Sequence, residues 1–385
     1  MTTVYLVRHA EAEGNVYRRL QGWYNSLITD NGYRQIEALA RRFENVHIDA
    51  VYSSDLFRTM TTASAIYKPK GLTLHTDPDL REVHGGVWED KPWGLIRREE
   101  KDCLDSFNAA SLDWQVEGSD TFAGLTERVC AAIRRIAASH EGQTVAIFSH
   151  GTAIRAALTV FAGMPLDEIR LTPHGDNTCV ACLEFDGDRV EIKYINDNSH
   201  LGELSTLGKQ TWWKKGGSAD YGKMNLWYRP LDFGAEADFY CEARREAWMH
   251  IHGTLEGLDG DGFLADAVAQ SSHDPRSVMV AMQEERPVGI LQMDLIHENE
   301  QGRGDIPFFY MIPDLRCQGF GIQLIGQAVS TYRPLGREYL RLRCAPANEV
   351  AHRFYERYGF RVVGEEAGAF GPLDVMEKYI GYNEG

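Results

Sequence analysis

This 385-residue sequence lacks long apolar runs and an excess of basic charge. No apolar run reaches the ~18 residues of a membrane-spanning helix, which argues against a membrane protein. The chain has 56 Asp+Glu against 40 Lys+Arg, and the net charge of -16 argues against a nucleic-acid partner. Seven scattered cysteines, an odd number, fit reduced thiols rather than a disulfide framework. With a strand pattern that starts almost at Met1 and leaves no room for a signal peptide, the composition predicts a cytoplasmic protein.

The length predicts two domains, because 385 residues exceed one ordinary hydrophobic core. Gly216-Gly217-Ser218 is typical of a hinge, and we expect domains over 1–205 and 226–385 joined by a linker over 206–225. The linker carries Trp212 and Trp213 next to lysines, a pattern that can contact nucleic acid. Given the acidic charge, we interpret this pair as docking the linker against a domain.

The first chemical motif stands at the start of the chain. The apolar run Val4–Val7 leads directly into Arg8 and His9, and Asn15 follows six positions after the histidine. Such a run predicts a buried parallel strand, and open α/β sheets bind ligands at the carboxyl ends of their strands. A cation and an imidazole at that end suit phosphoryl chemistry, which needs a nucleophile and a guanidinium to hold phosphate oxygens.

Four further motifs follow in order. They are Ser53–Thr59, Leu80–Glu89, Val145–Thr152 and Asn196–Leu201. The first follows a short strand, Ala50–Tyr52, and opens a helix, so Arg58 is expected in the first helical turn, where backbone N–H groups also favour an anion. The third is another apolar strand that ends in a histidine, His150, before a helix.

Taken together, these motifs make residues 1–205 resemble the histidine phosphatase superfamily, the group that includes the cofactor-dependent phosphoglycerate mutases. The resemblance implies a three-layer α/β/α domain in which His9 attacks phosphorus and forms a phosphohistidine, and Glu82 acts as general acid and then base. It implies that four side chains surround the phosphate oxygens: Arg8, Asn15, Arg58 and His150. Gln21-Gly22-Trp23 matches the stretch that edges the substrate pocket.

The residues after the acid bear on the choice between hydrolysis and a mutase reaction. The glycolytic mutases of this family have Glu-Arg-His-Tyr-Gly around the acid, whereas this chain has Glu82-Val83-His84-Gly85-Gly86. The second pattern is closer to the phosphatases. We therefore expect hydrolysis of a phosphomonoester, with a mutase-like phosphotransferase as the alternative.

Beyond the linker the order of elements changes. Helices are predicted over 236–251, 262–270 and 322–332, and strands over 277–282, 288–293, 306–312 and 339–344. Between the third of these strands and the helix at 322 lies Arg316-Cys317-Gln318-Gly319-Phe320-Gly321. Its glycines let the backbone approach a ligand, and the following helix N-terminus offers N–H groups to a pyrophosphate.

With the later pattern Asn348-x-x-Ala351-x-x-x-Tyr355-x-x-x-Gly359-Phe360, residues 226–385 resemble the GNAT acetyltransferases. The resemblance implies a mixed sheet whose strands splay near Met311-Ile312 and Cys344, with acetyl-CoA as co-substrate. It assigns acetyl-CoA contacts to Met311, Ile312, Arg316, Gln318, Gly319, Phe320, Gly321 and Asn348. It also assigns Tyr355 to protonation of the CoA thiolate. Asn348 could instead be a plain N-cap and Tyr355 a packed interior ring.

Other potential sites in the sequence are weaker. No general base is readable from the sequence; Asp305 and Glu284 are possible, each more typical of a solvated carboxylate. Cys179 and Cys182 are spaced like a zinc or redox pair, but they fall in a predicted strand over 178–185, where residues three apart face opposite sides. We interpret both as core residues and expect no metal.

The sequence thus predicts a bifunctional enzyme that hydrolyses a small phosphate ester and N-acetylates a small amine. Two alternatives remain open. The second domain could bind acetyl-CoA without catalysis and regulate the phosphatase, or the substrates could be phosphorylated side chains and lysines of proteins. The identities of ester and amine and the oligomeric state are not indicated by the residues.

Overall fold

The structure, a computed structural model, describes residues 1–207, 222–297 and 302–382. It divides into two compact units, residues 1–91 with 96–217 and residues 92–95 with 218–385. Most of the predicted linker, including Trp212 and Trp213, lies outside the described residues. No helix in the described part of the chain is both long enough and apolar enough to cross a membrane.

Helices and strands alternate through most of the first half of the chain. The strands are β1 Thr2–Arg8, β2 Ala50–Ser53, β3 Leu74–Thr76, β4 Thr144–Ser149, β5 Val180–Asp186 and β6 Arg189–Asp197. The helices are α1 Glu13–Tyr17, α2 Asp30–Phe43, α3 Phe57–Lys70, α4 Trp93–Glu99, α5 Lys101–Asn108, α6 Phe122–Ser139 and α7 Gly151–Phe161. The strands predicted at Val4–Val7 and Ala50–Tyr52 are present and one or two residues longer at their ends, whereas the strand predicted over 178–185 begins two residues later, at Val180.

These six strands form one sheet in the order β3-β2-β4-β1-β5-β6. The first four in that order run parallel, whereas β5 and β6 are antiparallel to their neighbours. Because β4 lies between β2 and β1, the carboxyl ends of all three strands meet at one edge. In register, Arg8 lies opposite Ser149, and Phe148 lies opposite Ser53. The predicted motifs are therefore brought together by sheet order.

Successive residues of the central strands face opposite helical layers. Val7 and Phe148 belong to a core that also holds Leu39 of α2 and Ile66 of α3, all buried. Their neighbours Leu6 and Ile147 are equally buried, and they face the other side, where α6 and α7 pack on each other. This is the predicted three-layer α/β/α arrangement.

The second unit begins with an antiparallel sheet and two helices. Its strands are β7 Trp227–Pro230, β8 Val278–Gln283, β9 Arg286–Gln292, β10 Arg303–Asp305, β11 Phe308–Met311, β12 Tyr339–Cys344, β13 Arg361–Gly368 and β14 Gly371–Tyr379. Its helices are α8 Phe233–His252, α9 Gly260–His273, α10 Gly321–Tyr332 and α11 Glu349–Arg357.

The strand predicted over 306–312 is present but shorter, as β11, and the strand before it, β10, was not predicted. The chain forms β10, breaks at Ile306-Pro307, and continues as β11. β10 pairs in parallel with β12 in the sheet β10-β12-β14-β13, while β11 pairs with β9 in the sheet β11-β9-β8-β7. Proline has no N–H for the ladder, which suits a position where the chain leaves one sheet for the other. The strands therefore separate beyond Asp305, whereas the resemblance placed the splay near Met311-Ile312 and Cys344.

Candidate functional site

The carboxyl ends of β1, β2 and β4 hold the candidate phosphoryl-transfer site. His9 and His150 are buried there with ring centroids 5.4 Å apart. Arg58, in the first turn of α3, is fully buried, and its positive charge acts on both imidazoles. Arg8 lies beside Gly151, the residue after the second histidine. Four of the predicted residues thus converge.

The hydrogen bond of His9 fixes its tautomer. Nδ1 lies 2.7 Å from the carbonyl oxygen of Ala10. Since a carbonyl can only accept, Nδ1 carries the proton, and the lone pair is left on Nε2. Burial and the charges of Arg58 and Arg8 hold the pKa of His9 well below its usual 6.5. The ring is therefore a neutral nucleophile near pH 7.

Three buried nitrogen atoms at this site have no hydrogen-bond partner within the described residues: Nε of Arg8, Nε of Arg58 and Nδ1 of His150. The other ring nitrogen of His150 lies 2.9 Å from Ser54 Oγ. A buried polar group without a partner is costly unless something binds it. Two positively charged N–H donors beside two imidazoles form a site for the oxygens of an anion.

Arg58 also anchors the loop that was expected to edge the pocket. Its guanidinium donates to the carbonyls of Gln21, Gly22 and Tyr24 at 3.0, 2.7 and 2.9 Å. The pKa of Arg58 is lowered to about 10, mainly by burial. The carboxylates of Glu82 and Glu89 act in the opposite direction and limit this decrease. The side chain therefore stays charged near neutral pH.

Glu82 lies at the start of α7, next to His150. Its carboxylate accepts hydrogen bonds from the backbone N–H groups of Thr152 and Ala153 at 2.9 and 3.0 Å. Helix N-termini favour anions, so the first turn of α7 fixes this side chain in place. The structure thus brings the predicted acid to the predicted phosphate site.

Asn15 is used differently from the other predicted phosphate contacts. It is the third residue of α1, and its Oδ1 accepts a hydrogen bond from the backbone N–H of Ala12 at 3.0 Å. This contact caps the short helix that follows the His9 motif. The cap is the one role that the contacts of this side chain display.

Two residues of the site had no assigned role in the sequence. Arg128 of α6 donates to the carbonyl oxygens of Arg81 and Glu82 at 3.0 and 3.2 Å. Glu89 accepts from the backbone N–H groups of Trp23 at 2.8 Å and Gly85 at 2.7 Å. Both side chains hold the backbone of loops beside the acid. No sequence spacing predicts such contacts, because they join residues that are distant along the chain.

The glycine loop of the second unit fits the phosphates of acetyl-CoA. Gly319 has a φ of +83° with open space where a Cβ would stand. Phe320 is the N-cap of α10 and has no polar side chain to satisfy the first N–H groups of that helix. Uncapped N–H groups beside a glycine are the usual donors to a pyrophosphate. Phe320 itself is buried, and Gly321 begins the helix.

The polar side chains predicted around that loop mostly contact protein. Arg316 donates Nε to the carbonyl of Met311 at 2.8 Å and forms a two-pronged ion pair with Glu246 of α8. Gln318 is exposed and donates to the carbonyl of Asp314. Asn348 caps α11, because its Oδ1 accepts from the N–H of Ala351 at 3.2 Å. β11 ends at Met311 and Ile312 follows it, near the expected strand end.

Tyr355 of α11 is a buried side chain surrounded by rings. Its ring centroid lies 6.0 Å from that of Phe309, 5.3 Å from Phe354 and 5.4 Å from Phe360. Burial raises the pKa of its hydroxyl, and the nearby Cys344 raises it further. The phenol therefore stays protonated, and it lies where β11 and β12 separate.

The surroundings of Asp305 and Glu284 do not support a role as general base for either carboxylate. Asp305 is ion-paired with Arg343, and Glu284 is exposed in the β8–β9 turn. A pair that the sequence did not indicate, His352 and Asp374, lies 3.2 Å apart near the end of β12. Within the described residues no group of three or more His, Cys, Asp or Glu side chains could hold a metal, and Cys179 and Cys182 are buried thiols.

An α/β/α sheet with this constellation at its carboxyl edge defines a phosphoryl-transfer protein fused to an acyltransferase fold. The chain belongs to the histidine phosphatase superfamily (branch 1), whose family model matches residues 4–198, and its second half matches the acetyltransferase (GNAT) family over residues 238–360. Both family resemblances are thereby confirmed.

Relatives match the first half of the chain. The probable phosphoglycerate mutase GpmB of Yersinia pestis and that of Yersinia pseudotuberculosis are each 35% identical over 165 residues, which is 43% of this chain and 77% of theirs. Among solved structures, YhfR of Bacillus stearothermophilus is 33% identical with a TM-score of 0.51, and it covers 52% of this chain and 99% of its own.

Proposed function

We propose that the first domain is a phosphomonoester phosphatase that works through a phosphohistidine at His9. The observation that carries this proposal is the buried, neutral imidazole whose Nδ1 proton is held by Ala10. That arrangement leaves the lone pair on Nε2, in a site where Nε of Arg8 and Nε of Arg58 have no partner within the described residues and where both charges act on His9. A nucleophile next to two anion donors is what in-line attack on phosphorus requires.

The reaction has two steps. Nε2 of His9 forms a bond to phosphorus while the bond to the ester oxygen breaks, and Glu82 gives its proton to the departing alkoxide. Glu82 then takes a proton from water, whose oxygen attacks phosphorus and releases His9 with inorganic phosphate. Arg8, Arg58 and His150 offset the charge on the equatorial oxygens in both transition states. Asn15 would contribute through its amide N–H groups, since its Oδ1 caps α1.

Hydrolysis is favoured over phosphate return to a sugar acid by the residues after Glu82. Mutases must keep water away from the phosphohistidine, and their Glu-Arg-His-Tyr-Gly pattern is replaced here by Glu82-Val83-His84-Gly85-Gly86. The second candidate, a mutase-like phosphotransferase, is favoured by the name of the Yersinia relatives. The two differ in whether phosphate is released as the inorganic ion or moved within the substrate.

For the second domain we propose acetyl-CoA-dependent N-acetylation of a small amine. The amine nitrogen attacks the thioester carbon, the carbon–sulfur bond breaks, and the amine proton passes to a base. Tyr355 holds its phenolic proton, because burial raises the pKa of its hydroxyl, and it would protonate the thiolate. Backbone N–H groups at Gly319–Gly321 would hold the pyrophosphate. The rival role is an acetyl-CoA sensor that regulates the phosphatase without turnover.

The fusion suggests that both domains process one amine-bearing metabolite or two steps of one route. Tethering alone can raise the effective concentration of one site near the other to roughly mM. The partners we propose are therefore small molecules, a phosphate ester and an amine. The metabolic link would be wrong if the substrates of the two domains proved chemically unrelated and neither rate changed when the domains were separated.

The deciding experiment is phosphate release by the full-length protein across a panel of phosphorylated small molecules rich in amino groups, with His9→Ala as control. Selective hydrolysis of one compound, lost in the variant, would establish the phosphatase and name an amine to test with acetyl-CoA. A panel that yields no phosphate above the variant contradicts hydrolysis. Conversion of 3-phosphoglycerate to 2-phosphoglycerate in the same samples would identify a mutase.

The sensor role is tested by two readouts on the same protein. Steady release of CoA in the presence of an amine excludes a purely regulatory domain. A phosphatase rate that depends on acetyl-CoA without CoA release would support it.

A further inference from the structure

Arg244 of α8 is a partly buried cation whose hydrogen-bond partners are all neutral. Its Nε donates to the hydroxyl of Tyr240 at 2.9 Å and its Nη2 to Oε1 of Gln292 at 2.8 Å. Within the described residues it forms no ion pair. Burial lowers its pKa, and the carboxylate of Asp266 acts on it only through longer-range attraction. Charges at such depth are normally paired, so this one lacks a partner of opposite sign.

Aromatic rings hold the guanidinium in place. Its central carbon lies 3.9 Å from the ring centroid of Phe308, 4.4 Å from that of Phe263 and 5.4 Å from that of Tyr240. These are the rings on which a delocalised guanidinium stacks well. These two hydrogen bonds use two of the five N–H groups of Arg244, so N–H groups remain at the edge of the guanidinium.

The supporting side chains are themselves fixed. The Tyr240 hydroxyl donates to Gln292 Oε1 at 2.8 Å, and Gln292 Nε2 donates to Gln270 Oε1 at 3.0 Å. Tyr240 is fully buried and Gln292 nearly so. The cation is therefore preorganised, which lowers the entropy cost of binding an anion.

The location of Arg244 suits the acetyl acceptor. Phe309 packs on Phe354 and Tyr355, so its side chain points to the face that carries α10 and α11. Side chains alternate along a strand, so Phe308, on which Arg244 stacks, points to the opposite face. Acetyl-CoA is expected on the first face, at the glycine loop. The second face is covered by α8 and α9, and Arg244, which is partly exposed there, is where we expect the other substrate.

We propose that Arg244 binds a carboxylate of the acetyl acceptor, so that the acceptor is an amine that also carries a carboxylate group. The proposal rests on the acetyltransferase function proposed above. A carboxylate matches one guanidinium in charge and in its planar, two-pronged geometry. A phosphate dianion would need a second cation, and the neighbouring Arg316 is already neutralised by Glu246.

The test compares acceptors that differ only in the carboxylate. The full-length protein is assayed for CoA release with acetyl-CoA and each of the common L-amino acids, alongside the corresponding α-carboxamides and decarboxylated amines. We expect an acid to be preferred over its uncharged partners by about 100-fold in kcat/KM, the value of a charge-assisted two-pronged contact. Equal rates for acids and carboxamides overturn the proposal without any variant.

Arg244→Met keeps the packing on Phe308. It should lower kcat/KM for the acid by about 100-fold and leave kcat/KM for the carboxamide unchanged. Arg245→Met, on the same helix but exposed, is the matched control. The dissociation constant of acetyl-CoA, measured by calorimetry, should be equal in all three proteins. If Arg244→Met binds acetyl-CoA normally but loses kcat/KM equally with the acid and with the carboxamide, Arg244 does not recognise the carboxylate.

The two proposals fail in different ways. If acetyl-CoA binds but only amines without a carboxylate are acetylated, the carboxylate site is wrong and the acetyltransferase stands. If acetyl-CoA does not bind, the acetyltransferase itself is wrong, and the acceptor site falls with it.

Discussion

Glu82 Oε2 accepts a hydrogen bond from the backbone N–H of Thr152 at 2.9 Å, which ties the candidate acid to the helix that follows His150. The acid, which lies in the loop after Leu80, is thereby fixed against the first turn of α7, the helix whose N-cap is His150. Arg128 holds the carbonyl of Glu82 from the other side at 3.2 Å. A proton donor held in this way needs little reorganisation when the leaving group departs.

Glu82→Gln should therefore separate proton donation from nucleophilic attack. With an alkyl phosphate, whose alkoxide needs a proton, we expect kcat to fall about 10²–10⁴-fold. With p-nitrophenyl phosphate, whose leaving group departs without a proton, formation of the phosphohistidine should change far less. The measurement is a steady-state and burst comparison of the two substrates. Equal losses for both substrates in the burst rate of phosphohistidine formation would show that Glu82 acts on structure and not as an acid.

The buried histidines predict how stability depends on pH. The pKa values of His9 and His150 are lowered by burial and by Arg58, so the folded state binds fewer protons than the unfolded state below about pH 6.5. Stability should then fall as pH drops through that range, by up to about 1.4 kcal/mol per pH unit for each histidine. The loss continues until pH reaches the lowered folded-state values.

Urea unfolding of the wild type at pH 5.5, 6.5 and 7.5, compared with His9→Asn, checks this expectation. The variant should show a smaller decrease, because one titrating group is gone. His47→Asn is the control, since the His47 side chain is 81% exposed. If the free energy of unfolding of both variants falls with pH as steeply as that of the wild type, the buried ring of His9 does not cause the loss of stability at acid pH.

The sequence predicts those parts of the site that depend on local patterns, and it does not predict those that depend on contacts between residues distant along the chain. His9 and His150 each follow an apolar run, so local pattern places them at strand ends, and parallel pairing brings them together. Arg128 and Glu89 act on backbone atoms of distant loops, a relationship that appears only after folding. Asn15 matches its motif, yet its Oδ1 is taken up by a helix cap, which spacing alone does not show.

The second half of the chain illustrates the same division. The glycine loop and Tyr355 follow a recognisable spacing, whereas the break at Ile306-Pro307 depends on the pairing of β10 with β12 and of β11 with β9, which no local spacing shows. Arg244 was not predicted because an arginine within a polar helix is usually solvated. Only its three surrounding rings distinguish it.

Arg58 should contribute to stability as well as to phosphate binding. Arg58→Lys keeps the charge but cannot reach the carbonyls of Gln21, Gly22 and Tyr24 together. Buried carbonyls left without donors should lower the free energy of unfolding by about 3 kcal/mol. Denaturation of the variant, with exposed Arg41→Lys as control, measures this cost. A change below about 0.5 kcal/mol, the range of surface substitutions, would contradict an anchoring role.

Tyr355→Phe tests the acid of the second domain with little structural disturbance. The ring remains packed against Phe309, Phe354 and Phe360, so the free energy of unfolding and the affinity for acetyl-CoA should hardly change. Without the phenolic proton the thiolate must leave unassisted, and we expect kcat for CoA release to fall about 10²-fold. Phe354→Leu, which alters packing and keeps the hydroxyl, is the matched control. An unchanged kcat in Tyr355→Phe would reduce Tyr355 to an interior ring and move the search for the acid to other groups near the end of β12, beginning with His352 and Asp374.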